Sequence, residues 1–476
     1  MAKDGVKKGF FFYFGLFLLI ILGVVSILFI VMMFMPKTSI LGLQYFTNHS
    51  AIRVDATTDE AKTQINFDDP NFSSVVINSN FASVYVQKNN EFERNGIYFV
   101  NNSKGFVSSK KANNFEYSAV IEDGVLKISV TEEQAFLYFS KDVRIVFQIS
   151  NETINPLSNK HLSINTSSGD VYIGGTYVAG HSHSLLLGGV EIETSKGSIN
   201  FSTLAPNNYP YCYLKTRSGD INIGLPSLRA DEALFIETTN GDISATKLES
   251  PSTISITSNR GKISISDINA NVNFKVVDAY IKVSNVIGNV DFANSVGKFN
   301  AAVVKINRVD GNFNATEAKS TYFELGSVQG KAVIETGSGD IVVNKTIFSN
   351  WQLKTESGKI QAEINTDATN VNISTQKGRL EITLPNNFSA ITIENQSGKT
   401  NLNIPNKGKY KITFKYYESG DDFKLEDFKF DNVNLNLDVE KTNPMLLEQG
   451  GSNQSTLTLK CNKQINFNWF NLKQSA

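Results

Sequence analysis

The stretch Leu214-Lys215-Thr216-Arg217-Ser218-Gly219-Asp220-Ile221-Asn222-Ile223 decides the reading of this chain. Apolar and polar side chains alternate on both sides of a Ser-Gly-Asp turn, the period-2 pattern of a strand with one buried face and one wet face. The unit recurs. Turn glycines stand at Gly169, Gly197, Gly219, Gly241 and Gly261, and again at Gly339, Gly358, Gly378 and Gly398. Weaker copies between them are Asp278-Ala279-Tyr280, Val296-Gly297-Lys298 and Ala318-Lys319-Ser320. Apart from one interval of 28 residues, the spacings run from 18 to 22, the range in which a repeat signals a solenoid or array.

The residues around each glycine sort by parity. Seven before it come Leu162, Val190, Cys212, Leu234 and Ile254, and five before it Ile164, Ile192, Leu214, Ile236 and Ile256. Two after it come Val171, Ile199, Ile221, Ile243 and Ile263. Three before it stands a hydroxyl (Thr166, Thr194, Thr216, Thr238, Ser258, Thr336, Thr355, Thr375), inward at the corner, where it can satisfy a backbone group that the ladder does not reach. The glycine is expected to supply the positive φ of a tight turn, and Gly288, Gly311 and Gly330 mark a second corner. The pattern predicts an all-β fold: a parallel β-solenoid, or β-helix, of about twelve rungs of some twenty residues, closed by β caps.

At these residues the chain resembles the bacterial putative-adhesin family of β-strand-repeat domains, a domain of unknown function. The shared unit is [I/L]-x-T-x-S-G-D-[I/V]-x-[I/V], and the likeness reaches upstream to Val75-Val76-Ile77, Ala82-Ser83-Val84-Tyr85-Val86 and Glu122-Asp123-Gly124-Val125-Leu126-Lys127-Ile128. It covers roughly residues 72–404. The resemblance implies a bacterial, envelope-associated, solenoid-like domain.

Outward from the repeat, residues 9–36 carry no charge. As a helix the run would reach roughly 40 Å, more than the roughly 30 Å hydrocarbon core. A signal peptide would have a shorter apolar region and a small-residue cleavage site, which Phe34-Met35-Pro36-Lys37-Thr38 lacks. The expected organisation is a cytoplasmic N-terminus (1–8), a single-pass anchor (9–36), a juxtamembrane linker (37–71), an N-terminal β cap or entry sheet without the turn template (72–160), the repeats (161–404) and a C-terminal β cap (405–476). Lys3, Lys7 and Lys8 precede the span and only Lys37 follows closely, which places the bulk of the chain outside the cytoplasm, at the cell surface.

The 45 basic and 46 acidic residues give a net charge of −1, which argues against nucleic-acid binding by general attraction. Two cysteines, Cys212 and Cys461, make neither a disulfide framework nor a zinc site, and Cys212 falls on the core template. His181-Ser182-His183, in the longest interval, is a weak metal candidate that lacks a third ligand. Asp170, Asp220, Asp242 and Asp340 follow turn glycines; calcium accepts carboxylate and carbonyl oxygens, but Lys262, Lys359, Arg379 and Lys399 fill the same slot elsewhere, so turn formation is the better account. Tyr172, Tyr211 and Tyr213 point outward and form a candidate binding surface. Neither a catalytic motif nor a cofactor fingerprint occurs. The expectation is a membrane-anchored surface module that contacts a glycan or a surface protein without catalysis or cofactors. The alternatives are an envelope scaffold that self-associates laterally or end to end, and a β-helix carbohydrate-active enzyme.

Overall fold

The computed structural model describes residues 4–35, 39–40, 43–47, 49–54, 56–58, 64–65, 72–88, 96–108, 115–132, 137–149, 159–175, 188–202, 207–294, 302–347, 350–364, 369–385, 388–405, 410–415, 436–438, 445–448, 455–461 and 465–470. Among them the one helix is Asp4–Phe34, and the rest of the regular structure is strand. The chain divides into two compact units, Met1–Pro156 with Ser163–Tyr172, and Leu157–Leu162 with Ile173–Ala476.

In the first unit, Phe12–Phe34 is 23 residues with a mean hydropathy of 3.2, long and apolar enough to cross a membrane. Its side chains are mostly exposed, but near its end Phe29 meets Phe106 edge-on at 4.7 Å and Met32 is buried. Strands Phe115–Glu122 and Val125–Glu132 form a hairpin whose two turn residues, Asp123 (φ 53°) and Gly124 (φ 72°), adopt the left-handed conformation that a two-residue hairpin favours. Val125–Glu132 then pairs in parallel with Ser74–Ser79, and Val143–Ile149 with Ser83–Lys88. Between these strands the corner template is present, contrary to the expectation for 72–160. Ser79 Oγ accepts from Ala82 N at 2.7 Å, so Ser79 and Ala82 hold the hydroxyl and glycine slots.

The second unit is a parallel β-solenoid. One inward column runs in register through Val190, Cys212, Leu234, Ile254, Val272, Val290, Phe313, Ala332, Trp351, Val371, Ile391 and Leu457. A second begins Ile199, Ile221, Ile243, Ile263, Ile281, Val304, Phe323 and Ile341. Ile221, Ile243 and Ile263 are fully buried, as the parity predicts. Each such side chain contributes about 1.5–3 kcal/mol of burial, but only against its neighbours above and below.

The corners differ from the sequence expectation in an informative way. Among the described glycines, positive φ occurs only at Gly124, Gly261 and Gly288. At Gly169, Gly219, Gly241, Gly339, Gly358, Gly378 and Gly398 the glycine is required by close approach. A Cβ at Gly219 would lie 2.0 Å from the Gly197 carbonyl oxygen, and one at Gly241 or Gly378 would lie 1.8 Å from the oxygen of the glycine one rung below. The hydroxyl slot then works in both directions. Thr216 Oγ1 accepts from Gly219 N at 3.0 Å and donates to Gly197 O at 3.0 Å. Thr355 repeats this between Gly358 and Gly339, and Asn395 does so with its carboxamide between Gly398 and Gly378.

Register also corrects the middle rungs. Ile281 stacks on Val304 and Val304 on Phe323, so the slots two residues earlier are Ala302 and Thr321 rather than Gly297 and Lys319. Both are fully buried, so on these two rungs the slot accommodates a side chain and glycine is not required. Val296-Gly297-Lys298 lies outside the described residues. Past residue 404 the ladder gains one more rung: Ser455–Cys461 pairs in parallel with Ala390–Asn395, and Ile465–Phe470 with Thr400–Pro405. Tyr410–Lys415 pairs on the far side of Ser455–Cys461 and is followed by the antiparallel strands Met445–Glu448 and Asn436–Asp438.

Candidate binding wall

Outward positions of the strands that precede the corner form columns across the rungs. In the second unit Glu191, Tyr213 and Phe235 stand in register, and beside them Glu193, Lys215 and Glu237. Phe235 is 45 % exposed and lies 6.2 Å from the Tyr213 ring. Lys215 Nζ bridges Glu193 at 3.6 Å and Glu237 at 3.9 Å. Those carboxylates, Glu237 foremost, raise the Lys215 pKa, and burial followed by Glu237 raises that of Tyr213. The rung spacing of about 4.8 Å thus holds two aromatic rings and a carboxylate–ammonium–carboxylate row on a rigid backing.

Tyr211 lies flat over Gly189, where a Cβ would meet its ring, and its hydroxyl hydrogen-bonds His161 Nδ1 at 2.5 Å. His161 Nε2 is 4.0 Å from Glu191 Oε2. The Tyr211 pKa is raised by burial and then by Glu191. Tyr211 and Tyr213 therefore share one wall, with Tyr211 pinned along it and Tyr213 presented outward. Tyr172 belongs to the first unit, where it stacks on Tyr85 at 4.5 Å and 12° and its hydroxyl donates to Asp170 Oδ2 at 3.4 Å. Burial, with Asp170 next, pushes its pKa up to about 12. Sequence reasoning missed Phe235 and His161; parity marked Phe235 as outward, whereas nothing local marked His161 as the partner of a tyrosine fifty residues away.

The remaining candidates sort as follows. His181 and His183 lie outside the described residues. Cys212 is a free, fully buried thiol, and burial raises its pKa. Three turn aspartates act on the backbone: Asp220 Oδ1 accepts from Asp242 N, Asp242 Oδ1 from Lys262 N and Asp340 Oδ1 from Lys359 N, at 2.7–2.8 Å, while Asp170 Oδ2 accepts from the Tyr172 hydroxyl. At the second corner Asn271, Asn289 and Asn312 do the same for Asn289, Asn312 and Lys331. Lysine follows where a rail ends, since it offers no acceptor. Among the described residues no three His, Cys, Asp or Glu side chains are grouped to hold a metal ion.

The family model described as Toastrack DUF4097 matches residues 72–331 and, a second time, 223–445. The chain belongs to the Toastrack family. This agrees with the resemblance carried by Leu214–Ile223 and its copies, and the matches span both the upstream Ser79–Ala82 corner and the regular rungs of the Toastrack chain. No curated protein matches it. Among solved structures, a protein from Bacteroides fragilis described as a putative adhesin is similar, at 14 % identity over 56 % of this chain and 97 % of its own, with a TM-score of 0.31.

Proposed function

We propose that this Toastrack protein is a membrane-tethered contact module that acts without catalysis, meeting a glycan or a surface protein through the wall around Tyr213 and Phe235. The observation that carries the reading is the outward Tyr213–Phe235 pair, Tyr213 half-buried and Phe235 exposed, set beside the Glu193–Lys215–Glu237 row on a ladder that leaves the rings little freedom to lose on binding. Helix Asp4–Phe34 supplies the tether, and the lysines at its start favour an N-terminus in the cytoplasm with the solenoid outside. The short antiparallel strands 436–438 and 445–448 cover the edge beyond Tyr410–Lys415, which supports contact over end-to-end assembly.

Glycan-array and pull-down binding by the full chain in nanodiscs tests this. A bound partner that is lost in Phe235→Ala with Tyr213→Ala is the expected result. A chain that binds neither class of partner and instead forms fibres or rings would replace this reading with a scaffold.

A further inference from the structure

In the second unit, the wall formed by the strands that follow the corner is interrupted around Gly326. Lys282, Lys305 and Glu324 stack there in register, beside Asn307, Gly326 and Asn344. Register shifts fall there on two successive rungs, between Leu325 and Val328 and between Val343 and Ile347. Such irregularities bend the strand and re-aim side chains. Gly326 adds no side chain and packs so closely that a Cβ would lie 2.1 Å from the Asn307 carbonyl oxygen. Together these leave a recess of about 250 Å³.

Its chemistry is mixed in a specific way. Lys305 Nζ lies 2.7 Å from Glu324 Oε2, and Asn344 Nδ2 donates to Glu324 Oε1 at 3.4 Å. The ammonium holds the Glu324 carboxyl below the ordinary range. Lys282 is exposed, and its side chain has no ion pair or hydrogen bond among the described residues. One ammonium is therefore in excess, amid carboxamides and a carboxylate that both face the opening. A simple anion would meet Glu324 unfavourably, and a cation would meet two lysines. A ligand with one carboxylate and several hydroxyls satisfies all of these groups.

We propose that this recess binds one acidic sugar unit of a glycan, a uronate-type residue, with Lys282 taking its carboxylate and Asn307, Asn344 and Glu324 its hydroxyls. This goes beyond the contact-module reading and does not depend on the Tyr213–Phe235 wall.

The test is ligand-observed NMR on the full chain in detergent micelles, with sodium glucuronate, glucose and sodium acetate as probes. Glucuronate is expected to saturate the site, with glucose and acetate each at least about tenfold weaker, the worth of a charge-assisted contact. Lys282→Met removes an exposed side chain and should weaken glucuronate about tenfold. Asn344→Ala should weaken it also, and Phe235→Ala should leave it unchanged, which separates this site from the aromatic wall. Absence of saturable glucuronate binding, equal binding of acetate or glucose, or an unaltered affinity in Lys282→Met would each overturn the assignment.

Discussion

Replacing Gly241 with alanine puts a methyl group 1.8 Å from the Gly219 carbonyl oxygen, whereas about 3 Å is the closest approach that a Cβ tolerates. The corner must therefore open by about 1.2 Å, on a rung spacing of about 4.8 Å. Four short contacts cross that gap: Thr239 N to Thr216 O at 3.2 Å, Asn240 N to Arg217 O at 3.0 Å, and Ile221 N to Asp242 O and Asp242 N to Asp220 Oδ1, both at 2.8 Å. Opening takes each of them out of hydrogen-bonding range. At about 1 kcal/mol net apiece, the expected local destabilisation is about 3–4 kcal/mol. Because a solenoid need not unfold as one unit, the measurement is native-state hydrogen exchange over residues 212–245, where protection should fall by about two to three orders of magnitude. Gly224→Ala is the control. Its Cβ would stand 3.1 Å from the Phe201 oxygen, a contact that small shifts relieve, so the expected cost is under about 1 kcal/mol. Unchanged protection in Gly241→Ala, or an equal loss in Gly224→Ala, would refute the close-approach account of the turn glycines.

Other expectations follow from the same contacts. Thr216→Val leaves the Gly219 amide and the Gly197 carbonyl buried without their partner and should cost about 2–4 kcal/mol by exchange, while Thr216→Ser stays within about 1 kcal/mol of the native chain. Asp242→Asn keeps the acceptor for Lys262 N and should be near neutral, whereas Asp242→Ala should cost about 1 kcal/mol. The Tyr172 phenol, with its folded pKa raised from 10.0 to about 12, is expected to contribute stability that is complete below pH 10 and lost as pH rises toward 12. Tyrosinate absorbance in the native and Tyr172→Phe chains, alongside alkaline unfolding, checks both the late titration and its sign. Cys212 should resist thiol reagents in the native state and react once the chain unfolds.

The inward columns were legible because each buried position obeys the same parity, and burial enforces that parity on every rung. Two features were obscured. At the corners, glycine invited an explanation by positive φ, yet what the rungs share is the distance to the carbonyl below, which no single stretch of sequence contains. On the rungs where the slot accommodates a Cβ, alanine and even threonine fill it, as Ala82, Ala302 and Thr321 do, and the glycine signal disappears from those rungs. The rung at 455–470 was hidden by the residues inserted after 405, which destroy the spacing while leaving the ladder intact. For the wall, parity placed Tyr211 and Tyr213 outward, but only register revealed that Tyr213 has Phe235 as its neighbour and that Tyr211 is tied to His161. The recess at Gly326 depends on two successive register shifts, and shifts leave no mark in a repeat read by its spacing.

Disulfide trapping of paired outward positions tests the stacked parallel ladder most directly. Asn372 and Thr392 are register partners one rung apart, so their Cα atoms stand about 4.8 Å apart, within bridging range. Asn372 and Glu394 are two residues out of register, about 8 Å apart and beyond it. Oxidation of the Asn372→Cys, Thr392→Cys chain should give the mapped crosslink in high yield, and the Asn372→Cys, Glu394→Cys chain should give almost none. The reverse ranking, or equal yields from both chains, would contradict the ladder.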